Sequence, residues 1–359
     1  MPPLWGAIGQ ARKSGSGLAS FFSLPTPAAH IFLPAIAASL IFATGWQAAR
    51  LVLKHRIGMC WLYAITKYGY VMGLEDIFGA IEDARRLGFT WFEMEGVGKQ
   101  LHLVDKNKAE IKRRCDKAGL RITNFVPVLP DMVSQDEARR EAALADFQLG
   151  CDIARFLDTE LVEADSYHTP LYVEEPYDTS REFSYAYHPP KMRVDSKFDF
   201  WQFFDNVLVD SVARCNEFAG SCGLRLCIEP RVWETVPSVW ALDHLLRKVN
   251  SNNLGAVYET AHFACQRTAL VEAAEILGKR IFYVHASDSD YTNEDHLEFG
   301  KGSIDWDTVL TAVLKQGFDG VFGLDIGGNP RMRESLDGMY TRSRTFLENA
   351  LARTPQLIG

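Results

Sequence analysis

The chain has 359 residues, a formal net charge of −8, 47% hydrophobic and 23% charged residues. This is an ordinary globular balance with no basic field, so it excludes nucleic acid as an expected partner. Its seven cysteines are odd in number and form no CxxC pair, so they read as reduced core residues of a cytoplasmic protein rather than a disulfide or zinc framework.

Residues 1–53 differ in character from the rest of the chain. The apolar run from Ile31 to Trp46 is broken by Pro34 and followed by Arg50, Lys54, His55 and Arg56. It is shorter than the roughly 20 residues that a membrane span needs. A weak anchor and a signal segment are alternatives, but a dispensable N-terminal extension is the preferred reading of 1–53, with the functional domain at 54–359.

From residue 55 onward, short β-branched and aromatic runs alternate with amphipathic helical stretches. This alternation predicts a parallel sheet covered by helices. Strand one is expected over Ile57–Ala64, followed by a helix with Ile77, Ile81, Ala84 and Leu87 on one face that stops at Gly88. Strand two covers Thr90–Met94, its helix Lys108–Ala118, and strand three Arg121–Val126. Helix three runs from Asp136 to about Phe156, and strand four is Glu160–Ala164. After an insertion, a helix over Phe200–Ala219 leads to strand five, Leu224–Ile228. Helix Val239–Val249, strand Gly255–Tyr258 and helix Thr268–Leu277 come next. Strand Arg280–Val284, helix Asp305–Gln316 and strand Gly320–Leu324 complete the set. No GxGxxG follows the first strand, so a closed (β/α)8 barrel is preferred to an open dinucleotide fold.

In such a barrel the C-terminal ends of the strands converge on one face. Read in order they carry Glu95, Asp165 with His168, Glu229, Glu259 with His262, His285 with Asp288, and Asp325. One such carboxylate is most often a solvated cap. Gathered on one rim, carboxylates with an imidazole suit a hard divalent cation, Mn2+ first, with Mg2+ or Co2+ as alternatives.

The segments Cys227-Ile228-Glu229-Pro230, Tyr258-Glu259-Thr260-Ala261-His262, Val284-His285-Ala286-Ser287-Asp288, Gly300 to Trp306 and Gly320 to Asp325 resemble the xylose-isomerase-like TIM-barrel superfamily of sugar isomerases, epimerases and dehydratases. The resemblance implies Glu229, Glu259, His285 and Asp325 as metal ligands, with His262 and His296 or Glu298 near the substrate. Glu259 stands where the family usually has Asp, and Asp325 where it usually has Glu. The shorter Asp325 weakens a two-carboxylate epimerase.

The insertion after strand four is rich in aromatic residues, among them Tyr172, Tyr177, Phe183, Tyr185 and Tyr187, in a Pro-rich, charged stretch without helical period. Such loops often serve as lids or binding loops, and their rings suit a flat substrate portion. Phe200, Trp201, Phe203 and Phe204 are expected to pack in the core instead.

One branch of the superfamily combines these features, the α subunits of C-glycoside deglycosidases. Its resemblance implies a carbon–carbon lyase acting on keto-sugar C-glycosides with an aromatic aglycone, alongside a small β subunit. A sugar isomerase or epimerase and a non-catalytic metal-binding barrel are the alternatives. His168 is the first candidate for the base, since a neutral imidazole accepts protons near pH 7; the bland alternative is a rim histidine bonded to Asp165. Glu229, His262 and His296 complete the candidate catalytic set, and Arg331 and Arg333 are candidate contacts for an acidic group.

Overall fold

A computed structural model describes residues 56–172, 191–328, 332 and 334–354. The expected extension 1–53, Tyr177, Phe183, Tyr185 and Tyr187 of the aromatic insertion, and Arg331 and Arg333 lie outside the described residues.

Eight parallel strands close into a barrel in sequence order. They are β1 (Arg56–Met59), β2 (Trp91–Val97), β3 (Arg121–Val128), β4 (Leu161–Asp165), β5 (Arg225–Glu229), β6 (Leu254–Glu259), β7 (Ile281–Ala286) and β8 (Val321–Leu324). Closure is made by β1 pairing with both β2 and β8. The covering helices are α1 (Leu62–Tyr68), α2 (Leu74–Arg86), α3 (Lys99–Ala118), α4 (Glu137–Phe156), α5 (Val209–Ser221), α6 (Val239–Val249), α7 (Thr260–Cys265), α8 (Leu270–Leu277), α9 (Trp306–Lys315) and α10 (Leu336–Arg353). The expected (β/α)8 architecture is the one observed, and among the described residues no helix is long and apolar enough to cross a membrane.

Two expectations need correction. The strand expected to reach Ala64 stops at Met59, and Leu62–Tyr68 is a helix. The Trp61 amide donates to Glu93 Oε1 at 3.1 Å, turning the chain at the barrel mouth. A short buried apolar run has no periodicity that separates strand from helix. The helix expected from Lys108 begins at Lys99; its first turns are mostly polar, so apolar periodicity caught only the second half.

Side chains two residues apart share a face of a strand, and this alternation builds the interior in layers. Glu93, Glu163, Cys227 and Tyr283 precede by two residues Glu95, Asp165, Glu229 and His285. Gly323 makes the layer fit, since a Cβ there would lie 2.4 Å from both Cys60 Sγ and Tyr283 Oη. All seven cysteines are free thiols, five of them buried. Within the helix expected over Phe200–Ala219, Phe203 and Phe204 are buried as expected. Trp201, 61% exposed, and Phe200, 38% exposed, are not; Trp201 packs one edge against His244 of α6 and leaves the rest of its ring to solvent.

Candidate active site

The upper layer of the barrel converges as the strand-end reading requires, but it resolves into two sub-clusters. In the first, His285 is clamped through both nitrogens: Nδ1 lies 2.9 Å from Glu229 Oε1 and Nε2 2.9 Å from Glu93 Oε2. Glu163 Oε2 lies 4.0 Å from the same Nε2, and Asn124 Nδ2 donates to Glu93 at 3.2 Å and Glu163 at 2.6 Å. In the second, His296 Nδ1 lies 2.8 Å from Asp325 Oδ2 and 3.8 Å from Glu259 Oε1. Of the four expected ligands the structure therefore pairs Glu229 with His285, and places Asp325 and Glu259 around His296.

The chemistry of these groups follows from their surroundings. Glu229 is buried, which opposes ionisation, yet Arg231 and His285 outweigh this and hold its pKa below the usual carboxylate range. Arg231 Nη1 sits 3.4 Å from Glu229 and 3.5 Å from Asp165. For Asp165 burial dominates and pushes the pKa up, against the pull of Arg231. Glu95 is raised to about 8 by burial and by Glu93, and Glu259 to about 7 chiefly by burial. His296 is raised to about 9: burial opposes this, but Asp325 and Glu259 prevail. His262 is lowered to about 3 by burial and the neighbouring His296, whose ring centroid lies 5.2 Å away.

His168, on the loop after β4, is lowered to about 4 by burial and by Arg231, so it is neutral at pH 7. Its ring packs edge-on against Tyr172, centroids 4.3 Å apart. The bland alternative of a hydrogen bond to Asp165 is not formed, since neither Asp165 carboxylate oxygen has a hydrogen-bond partner. Glu234 fixes this loop by accepting from the Ser166 and Tyr167 amides at 3.0 and 2.8 Å. Tyr172 Oη donates to the Trp233 carbonyl, and Trp233 is 45% exposed beside the mouth with φ of 69°. A positive φ is uncommon for a bulky residue.

Two rim residues face elsewhere. Glu298 is bonded to Arg342 at 2.5 and 2.9 Å. Asp288 accepts from the amides of Gly300, Gly302 and Ile304 at 2.8, 3.0 and 3.3 Å. Sequence reading missed Glu93, Glu163, Arg231 and Glu234. Glu93 and Glu163 were discoverable from period-two spacing behind Glu95 and Asp165, and Arg231 comes directly after the Glu229-Pro230 step.

The second sub-cluster fits a divalent cation. One imidazole and two carboxylates, from His296, Glu259 and Asp325, offer ligand atoms all within 4.8 Å of one another. Glu259 is fully buried and its Oε1 has no hydrogen-bond partner. A buried carboxylate oxygen is costly to leave unpartnered, and a nitrogen with hard oxygens suits a borderline or hard metal.

Comparison with known proteins agrees with this architecture. The family described as the xylose isomerase-like TIM barrel matches residues 81–343. The 3-dehydroshikimate dehydratase of Pseudomonas putida is 27% identical over 161 residues, 40% of this chain and 25% of its own. The inosose isomerase of Bacillus subtilis is 27% identical over 128 residues, 33% of this chain and 45% of its own. In both, the match spans less than half of the relative's length. Among solved structures, a D-tagatose 3-epimerase-like protein superposes with a TM-score of 0.62 at 20% identity, covering 85% of this chain and all 100% of that one. The IolI protein with a bound zinc atom superposes with a TM-score of 0.61 at 15% identity, covering 82% of this chain and 98% of that one. These two likenesses establish the fold. With well over half of the chain matched, the protein belongs to the xylose isomerase-like TIM-barrel family.

Proposed function

We propose that this protein is a metal-dependent enzyme that takes a proton from the carbon beside a carbonyl in a small polyhydroxylated substrate, of the sugar or keto-sugar class. The carrying observation is the gathering of Glu229, Glu259 and Asp325 with His285 and His296 at the C-terminal mouth of the barrel. The names of the similar proteins, an isomerase, a dehydratase and an epimerase-like protein, support the same first step.

The cation is assigned to Glu229, Glu259 and Asp325 together with one imidazole, for which His285 was the expected source. Mn2+ is the first choice, with Mg2+ or Co2+ as alternatives, and the zinc of the IolI structure supports a divalent ion in general. When bound, such an ion supplies Lewis acidity that lowers the pKa of the C–H next to the carbonyl. His168 is neutral near pH 7 and accepts that proton while the electron pair moves towards the carbonyl oxygen. Arg231, between Asp165 and Glu229, keeps Glu229 ionised and presents a cation to substrate oxygens. His262 and His296 orient the hydroxyls on the other side. Return of the proton to a neighbouring carbon gives isomerisation, whereas departure of a β substituent gives elimination.

A second reading, the carbon–carbon lyase acting on keto-sugar C-glycosides with a small partner subunit, is favoured by one observation. Tyr172 packs its ring edge-on against His168, next to the exposed Trp233 whose main-chain carbonyl it bonds, and aromatic surface here suits a flat substrate portion better than a bare sugar. In both readings the substrate is a small molecule.

The test is carried out in D2O with Mn2+, Mg2+ or Co2+ and a panel of ketoses, inososes and a 3-keto C-glucoside. Metal-dependent deuterium incorporation at the α carbon is expected for at least one substrate. Free aglycone from the C-glucoside, with or without a partner subunit, selects the lyase, and ketose interconversion selects the isomerase. Absence of exchange for every substrate and metal rejects the proposal.

A further inference from the structure

We propose that the N-terminal face of the barrel, opposite the mouth that holds the acidic cluster, carries a second binding site, for a small flat molecule bearing more than one carboxylate or phosphate group. The proposal goes beyond the function assigned to the mouth and does not depend on it.

A cavity of about 340 Å3 lies at this face, within the range of roughly 300–1,000 Å3 that holds small ligands. Its lining residues fix the place: Arg56, Trp91, Arg121, Leu161, Arg225 and Val321 are the first residues of β1, β2, β3, β4, β5 and β8. The floor is apolar. Leu161, Phe282 and Val321 belong to one buried cluster, with Trp91 packed against it.

Three guanidiniums surround this floor. Arg56 Cζ lies 5.1 Å and Arg121 Cζ 5.6 Å from the centroid of the Trp91 ring, and Arg225 Cζ lies 4.5 Å from that of Phe282. Ring faces attract and position a cation without supplying a hydrogen-bond acceptor of the carboxylate kind, so the N–H donors stay available. Among the described residues none of these three side chains makes an ion pair or a side-chain hydrogen bond. Arginines elsewhere on this surface behave differently: Arg86, Arg113, Arg139, Arg214 and Arg353 each hold a carboxylate at 2.6 or 2.7 Å. Acids are not lacking at the cavity. Asp116 and Asp158 line it, but Lys112 engages both, at 3.6 and 2.6 Å, and Glu160 is the one lining carboxylate left without an ion pair among the described residues.

The N-terminal face of such barrels ordinarily serves stability, and the ring contacts contribute to it. Stability does not call for a cavity, however, and like charges gathered without counter-charge oppose it. An anion resolves both. Guanidinium forks match the paired oxygens of carboxylate and phosphate, several cations call for several negative groups, and the aromatic and aliphatic floor suits a flat body.

The test is calorimetric titration of the full-length, metal-free protein with benzene-1,2,4-tricarboxylate and with adenosine monophosphate, which separate the carboxylate from the phosphate source, and with uncharged adenosine. One anion or both should bind once per chain, and adenosine at least about 10-fold more weakly. R121Q and R225Q should each weaken the anion by roughly 10–100-fold, whereas R231Q, at the mouth, should leave it unchanged. Binding of neither anion, adenosine binding equal to theirs, full affinity in R121Q or R225Q, or loss in R231Q overturns the proposal. Circular dichroism reports folding of each variant. If R121Q or R225Q does not fold, phenylglyoxal modification of the wild type replaces it: the bound anion should protect Arg121 and Arg225, read by peptide mass spectrometry, and absence of protection overturns the proposal equally.

Discussion

At the scale of single residues, burial decides what each ionisable group can do. His168 and His262 carry depressed pKa values because burial penalises the imidazolium and neighbouring cations add to the penalty. His296 is raised because Asp325 and Glu259 more than offset the same burial. For His168 the sign is unambiguous. Its ordinary pKa is 6.5 and its folded value about 4, so between these the unfolded chain holds a proton that the folded chain refuses. The stability linked to this group is full above pH 6.5 and is lost as the pH falls towards 4. H168N should remove that slope, so that the gap between wild type and variant measured by urea unfolding shifts by on the order of 2 kcal/mol across this window. A gap independent of pH would contradict the assignment. In the D2O assay the same variant should lose exchange by roughly 100-fold or more, the contribution of a positioned base, and unchanged exchange would remove His168 from the mechanism. At this scale, Glu229, Glu259, Asp325, His262 and His285 were legible in the linear sequence because strand ends of a barrel share a rim, whereas His296, on a loop, entered only through the family resemblance. The bonds they make were not, because which carboxylate meets which imidazole depends on strand stagger and loop path.

At the scale of elements, the loop between β7 and α9 determines where His296 stands. Asp288, nearly completely buried, collects the amides of Ser289, Gly300, Gly302 and Ile304 at 2.9, 2.8, 3.0 and 3.3 Å. Gly302 approaches so closely that a Cβ would fall 2.4 Å from Asp288 Oδ1 and from the Ser289 carbonyl. The Gly300-Lys301-Gly302 motif is therefore a backbone device that folds the loop around one carboxylate. D288A should cost roughly 2–4 kcal/mol, as expected for a buried carboxylate whose several amide donors are left unmet. A melting temperature equal to wild type in D288A would reject this role. In β6 and α7 the same economy recurs: Glu259 ends the strand and caps the helix through the His262 amide. Sequence reading took Asp288 for a rim group of the site, because a strand-end carboxylate facing the mouth and one facing a loop are identical in a linear pattern.

At the scale of the molecule, closure makes the barrel one cooperative unit. β1 begins at Arg56 and pairs with β2 and β8, and the compact unit that holds the barrel starts at His55. A chain beginning at residue 54 should therefore keep its far-ultraviolet circular dichroism and melt within about 3 °C of the full-length protein, a stability change below about 1 kcal/mol. A collapse of the melting temperature would show that residues 1–53 belong to the folded unit. What the sequence by itself determined is the alternation of strands and helices, hence a closed parallel barrel, and the set of polar residues brought to its C-terminal face, because both follow from local periodicity and one topological rule. It misplaced the end of β1, where an apolar run has no period to read. Only the tertiary structure decided that His285 is clamped between Glu93 and Glu229, that His296 meets Asp325 and Glu259, and that Arg231 bridges Asp165 and Glu229. These pairings join residues 2 to 192 positions apart in the chain, and barrel closure, stagger and burial, not sequence spacing, set the distances between them.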